Sequence, residues 1–320
     1  MDTIKERLTQ VSAERLRENL FYLAEEPLPF RKANYSVPGH AQSTLEEADA
    51  WIAGQLRASG YVVERHGVPV QAFGFDATKP KQRAYARPVP DAPWYTAYNL
   101  YAKKAGSKYP EEIILFLAHK DSQSWVDSPG AYDNAVGTVA VLELARVLAE
   151  YPSARSLWFL FCNEEHVPWT SIAAAEQARQ RGDNLIAIFN LDGLGAKAND
   201  AIAAGHKTNV TAYTTPEGRQ LADLMAAVNE EYAIGLLQEA KQRPHPGDDD
   251  GSFIKAGYLA AVANIGSFPY ADAEYHLESD VPERVDIDNV RMAAQTTLAA
   301  VLRLDGGYWR PITNRAERPA

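Results

Sequence analysis

The chain has 320 residues, of which 46% are apolar and 23% charged, a globular balance with enough apolar material for a sizeable core. Lys and Arg number 32 against 42 Asp and Glu, a net charge of −10, which argues against a general nucleic-acid binder because phosphate recognition needs clustered cations. The single cysteine, Cys162, excludes an intramolecular disulfide, and apolar runs such as 113–118 and 157–162 are far too short to cross a bilayer. The opening MDTIKERLTQVSAERL carries charges where a signal peptide needs an apolar stretch, so the expectation is a cytoplasmic protein with no membrane partner.

In chain order, the first clear element is a helix opening at Ser43. Ser43-x-x-Glu46 reads as a capping box, Leu45, Ala48, Ile52 and Leu56 recur at helical spacing, and Gly60 ends the segment. A strand is predicted over 68–73. The stretch 75–97 holds Pro80, Pro88, Pro90 and Pro93, each removing a backbone donor, and reads as an irregular surface loop. Strands are then predicted over 99–103, 113–118, 157–162, 186–191, 210–214 and 261–265. Helices are predicted over 136–148, 171–180, 217–228 and 288–302. Such alternation predicts a three-layer α/β/α architecture with a mixed, mostly parallel central sheet covered on both faces. No linker divides the chain, so the expectation is a single domain over 1–320, with a polar surface tail after Asp305.

Residues of ligand type follow the predicted buried strands. Strand 113–118 runs into His119-Lys120-Asp121, strand 157–162 into Asn163-Glu164-Glu165-His166, and strand 186–191 into Asp192-Gly193. Pro129-Gly130-Ala131-Tyr132-Asp133-Asn134 delivers Asp133 at the mouth of a helix, and Tyr275-His276-Leu277-Glu278-Ser279-Asp280 follows the strand near Ile265. In open α/β sheets, ligands bind beyond the carboxyl ends of the strands, so these segments converge on one crevice. Crowded carboxylates repel unless a cation joins them. Asp, Glu and His without cysteine suit zinc, with cobalt or manganese as substitutes, and the ligand count fits two ions. The adjacent Glu164 and Glu165 point in different directions, so that one can bind metal while Glu164 stays free as general base.

Taken in order, H-x-D-S, P-G-A-x-D-N-A-x-G, N-E-E, N-L-D-G and Y-H-x-x-x-D resemble the co-catalytic di-zinc aminopeptidases of metallopeptidase family twenty-eight. That family is typified by bacterial leucyl aminopeptidases and related to glutaminyl cyclases and glutamate carboxypeptidases. The resemblance covers roughly residues 40 to 303. It implies a zinc-exopeptidase fold and hydrolysis of the N-terminal residue from a peptide or amino-acid amide through a water activated by two Zn2+ ions. It implies His119 and Asp192 on one ion, Glu165 and His276 on the other, and Asp133 bridging. Glu164 would be the base, Tyr275 a donor to the oxyanion, and Asp121 the carboxylate that orients the metal-binding histidine. Asp280 would act from behind the ligands, and the Asp133-Asn134 peptide would be cis. The alternatives are a glutaminyl cyclase-type acyltransferase and a non-catalytic domain of the same fold.

The chain departs from the family pattern in several places. Tyr132 stands where an Asp is usual, and Lys120 replaces an apolar or aromatic residue. The family's S-D-H-x-x-F element is replaced by Asp248-Asp249-Asp250-Gly251-Ser252-Phe253, for which a solvated loop capping a helix from Ser252 is one reading and recognition of a substrate amine the other. His166-Val167-Pro168-Trp169 replaces the usual continuation after the Glu pair, so an unusual pocket wall is expected there. His166 reads either as a substrate contact or as a solvated loop residue, and Cys162 as a small buried one. Trp94, Tyr95 and Trp125 line a pocket or cover the core.

Overall fold

The computed structural model describes residues 3–307; beyond Gly306 and Gly307 the tail expected to lie on the surface falls outside the described residues. Two helices open the chain, α1 (Thr3–Leu8) and α2 (Ala13–Ala24), the second capped by the Ser12 side chain. The helix α3 (Thr44–Ala58) begins as the sequence predicts. The Ser43 hydroxyl accepts the Glu46 N–H while the Glu46 carboxylate accepts the Ser43 N–H.

Next come β1 (Val63–Ala72) and a small hairpin of β2 (Gly74–Phe75) and β3 (Tyr85–Ala86) inside the proline-rich stretch. The strands β4 (Tyr95–Lys104) and β5 (Tyr109–His119) follow, then α4 (Val136–Leu148) and β6 (Arg155–Cys162). The middle of the chain adds β7 (His166–Val167), α5 (Thr170–Arg181), β8 (Asn184–Leu191), α6 (Asn199–Ala203) and β9 (Thr208–Tyr213). It closes with α7 (Pro216–Glu231), β10 (Leu237–Gln242), α8 (Asp248–Lys255), β11 (Ala261–Ile265) and α9 (Ile287–Asp305).

Nine of these strands form one sheet in the order β10-β9-β11-β8-β5-β6-β4-β1-β7. The centre, β11-β8-β5-β6, is parallel, and antiparallel partners extend it at β9, β4, β1 and β7. β5 shows why both faces are covered. Its residues Ile114, Phe116 and Ala118 enter one core, shared with α2, α3, α4, α7 and α9. Ile113, Leu115 and Leu117 point the other way, into a second core shared with α5 and α8. A strand alternates faces every residue, so an unbroken apolar run is what a doubly covered strand requires. The fold is α/β with helical layers on both faces. Among the described residues no helix is long and apolar enough to cross a membrane.

Candidate active site

The parallel strands end on one side, and their C-termini deliver the candidate residues. His119 is the last residue of β5; Glu164 and Glu165 lie between β6 and β7; Asp192 follows β8; His276 lies in the loop after β11. Asp133 precedes α4 in a tightly shaped loop, and its peptide bond to Asn134 is cis, as the resemblance implied. Gly130 opens this loop with φ 58°, where a Cβ would collide with the Asp133 carbonyl.

Two side chains from elsewhere hold the loop. The carboxylate of Asp280 accepts the N–H of Tyr132 at 2.9 Å and of Asp133 at 3.1 Å. Arg31, fully buried, donates to the carbonyls of Lys120, Leu23, Pro129 and Gly130 at 2.6–2.9 Å. Four carbonyl acceptors satisfy a guanidinium that burial pulls down to about 10. Arg31 is invisible as a site residue in the sequence, because its acceptors are backbone groups scattered over more than a hundred positions.

Five of the predicted residues form two groups that share Asp133. In one, His119 Nε2 lies 3.1 Å from Asp133 Oδ1 and 3.5 Å from Asp192 Oδ1. In the other, His276 Nε2 lies 3.1 Å from Asp133 Oδ2 and 3.4 Å from Glu165 Oε1. In each trio the potential donor atoms lie within 4.8 Å of one another. Burial depresses the His276 imidazolium, but Glu165 and Asp133 overcome this and raise it to about 10. Its buried Nε2 faces both carboxylates without a well-aligned hydrogen bond to either. Imidazole and carboxylate donors without sulfur, gathered this closely, are a set that zinc accepts in place of protons.

Asp121 sits behind both groups. One carboxylate oxygen accepts the Glu164 N–H and the other the Glu165 N–H, each at 2.9 Å, and His166 Nδ1 lies 2.8 Å away. Its oxygen Oδ1 is also 3.3 Å from His119 Nδ1. Burial pushes this carboxyl up, yet the hydrogen bonds from His119 and His166 outweigh it and hold Asp121 well below the usual range. His166 is therefore not a solvated loop residue. It is fully buried, with Nε2 accepting the Ala33 N–H at 3.2 Å. Gln123, for which no sequence motif gives a site role, donates through Nε2 to Asp133 Oδ2 at 2.9 Å.

A cavity of about 250 Å³ opens on the first trio and is also lined by Glu164, Asp248, Arg243, Tyr270 and Tyr275. The Glu164 carboxylate has a buried oxygen without a partner. Burial first, then Asp249 and Asp248, push Glu164 well above the usual carboxylate range. Tyr275 stacks on His276 with ring centroids 3.7 Å apart, and burial together with Asp133 and Glu165 keeps its hydroxyl neutral. Tyr270, at 4.8 Å from Tyr275, also lines the cavity and has a buried hydroxyl without a partner. Asp248, Asp249 and Asp250 are not a solvated loop before Ser252. They form the first turn of α8, with Asp249 and Asp250 buried, Asp250 and Asp248 paired with Arg243, and Asp249 accepting from Cys162 Sγ.

Comparison with known proteins bears on the fold and the family. A probable zinc metalloprotease of Pyrenophora teres f. teres is 23% identical over 346 residues, covering 95% of this chain and 68% of that protein. The LapA aminopeptidase of Legionella pneumophila superposes with a TM-score of 0.71 at 16% identity, covering 95% of this chain and 75% of that one. A glutaminyl cyclase of Bacteroides thetaiotaomicron bound to N-acetylhistamine superposes with a TM-score of 0.68 at 15% identity, covering 91% and 97%. Residues 99–301, more than half of the chain and the part that carries every candidate ligand, match the profile of Peptidase family M28, and to that family the chain belongs.

Proposed function

We propose that this chain is a zinc aminopeptidase that removes the N-terminal residue from peptides. His119, Asp133 and Asp192 would hold one ion and Asp133, Glu165 and His276 a second. Zinc bound there supplies Lewis acidity that polarises the scissile carbonyl and acidifies water. The observation that carries this reading is the pair of donor trios sharing Asp133, with Glu164 left over beside them.

Glu164 takes the proton of the attacking water and later delivers it to the leaving amine. Its buried, acid-crowded setting raises its proton affinity well above that of an ordinary carboxylate, which suits a group that both accepts and returns a proton. Asp121 keeps Glu164 and Glu165 in register by holding both of their backbone N–H groups. Tyr275 donates to the carbonyl oxygen as negative charge grows on it. The free ammonium of a substrate meets Asp248, which stands with Glu164 and Asp192 in a third group whose carboxylate oxygens lie within 4.8 Å of one another.

Hydrolysis of aminoacyl-p-nitroanilides is the test. Activity should vanish with a chelator, return with zinc, and fall roughly 10²–10⁴-fold in kcat in Glu164→Gln. Full activity in that variant would remove Glu164 as base. Release of ammonia from peptides with N-terminal Gln, without peptide cleavage, would replace the peptidase with a cyclase.

A further inference from the structure

The candidate site opens on two cavities rather than one. Glu164, Glu165 and Tyr275 line both, so the reacting bond lies where the cavities meet. The first, on the His119 and Asp192 side, carries the additional charges of Asp248 and Arg243. The second, of about 90 Å³ on the His276 side, has no charged wall beyond the shared glutamates and His276. Its remaining lining is aromatic: Phe73, Tyr85, Trp125 and Trp169.

These rings brace one another. Trp125 meets Phe73 edge-on at 5.6 Å and 90°, Tyr85 at 5.3 Å, and His276 edge-on at 4.9 Å and 85°. The Phe73 N–H is tied to Ser124 Oγ at 2.9 Å, which holds the 72–86 hairpin segment against the Trp125 loop. Trp125 also has a buried Nε1–H with no acceptor in the protein. The wall is therefore a preformed apolar recess, built from Phe73 and Tyr85 of the 72–86 segment, from Trp125 and from Trp169.

We propose that this aromatic recess binds the side chain of the residue on the leaving side of the scissile bond and makes the enzyme select peptides with a bulky apolar second residue. The inference rests on the aminopeptidase reading for its polarity. With the substrate ammonium at Asp248, which lines only the first cavity, the N-terminal residue occupies the charged cavity and the chain leaves past His276 into the aromatic one. Room for about three waters matches one branched or aromatic side chain that displaces them.

The test uses the full chain with zinc and the amides Leu-Gly-NH2, Leu-Ala-NH2, Leu-Leu-NH2 and Leu-Phe-NH2, which share their N-terminal residue. We expect kcat/KM for the Leu and Phe members to exceed that for Gly by roughly 10- to 100-fold. Phe73→Ala and Trp125→Ala should each shrink that ratio to within about threefold, while Trp94→Ala, at a side chain 62% exposed away from either cavity, should preserve it. A wild-type ratio near one, or a ratio that survives both substitutions, overturns the proposal.

Cleavage of none of the four would refute the aminopeptidase reading instead, and the recess is then judged by binding alone. Titration with 3-phenylpropanamide, which lacks an ammonium, should change tryptophan emission saturably. Propanamide should not, and Phe73→Ala should weaken binding by about tenfold. No saturable change with the phenyl probe overturns the proposal.

Discussion

Replacing Asp121 by Asn tests how the ligands are held, because shape is kept while charge and one acceptor oxygen are lost. Asp121 accepts from the Glu164 and Glu165 N–H groups and pairs with His166, all fully or largely buried. The asparagine NH2 must face at least one of these donors, leaving one or two of them unsatisfied at about 1–3 kcal/mol each. We expect the metal-free variant to lose about 2–5 kcal/mol in urea unfolding. Loosening of His119 and Glu165 should weaken zinc binding by roughly 10–100-fold in a chelator competition.

The pH dependence has a definite sign. The folded carboxyl titrates below its unfolded value, so its stabilisation is present above pH ~4 and is lost as pH falls below that. Asp121→Asn should therefore lose less stability on acidification than wild type. Stability within about 0.5 kcal/mol of wild type together with unchanged zinc affinity would refute the reasoning.

Other outcomes follow from neighbouring groups. Lys120 is fully buried, 2.9 Å from Asp49 and 2.6 Å from Asn163. Lys120→Met should cost about 3–5 kcal/mol in denaturant unfolding by stranding Asp49, and adding Asp49→Asn should recover much of it. In metal-free protein, His276 is raised above its ordinary 6.5 to about 10. The stabilisation from its protonated ring is therefore full below pH 6.5 and lost as pH rises toward 10. A thermal-unfolding series on chelated protein should show Tm declining with rising pH, and His276→Gln should lessen that decline. The remainder comes from His119, which burial depresses but Asp192 and Asp121 hold well above its ordinary value. Zinc competes with the same proton, so apparent zinc affinity should increase with pH in a chelator titration.

Much of the site was legible because chemistry-bearing residues follow strands whose apolar runs mark them as buried. β5, β6 and β8 all extend a few residues beyond the predicted cores, yet each ends where the ligand residues begin. The helix α4 starts and stops at the predicted residues, since Val136–Leu148 is almost wholly buried and its pattern is unbroken. The edge strand β10, Leu-Gln-Glu-Ala-Lys-Gln, leaves no signal in the sequence, because it pairs on one side only and carries no apolar alternation. The N-terminal α1 and α2 are absent from the expected elements, although Leu16, Leu20 and Leu23 form a buried helical stripe.

His166 and the Asp248–Asp250 turn differ from the sequence expectation for a shared reason. Polar residues in a loop-like context look solvated until their partners are known, and Asp121, Arg243 and Cys162 come from distant segments. The 75–97 stretch was correctly irregular for the most part, but the short β2–β3 hairpin within it carries Tyr85 to the His276 side of the site.

Anomalous diffraction at the zinc edge, from crystals grown with zinc, bears most directly on the proposed metal centre. The account predicts two peaks flanking the Asp133 carboxylate, one against His119 and Asp192 and the other against Glu165 and His276. A single peak, or zinc bound away from Asp133, would contradict it.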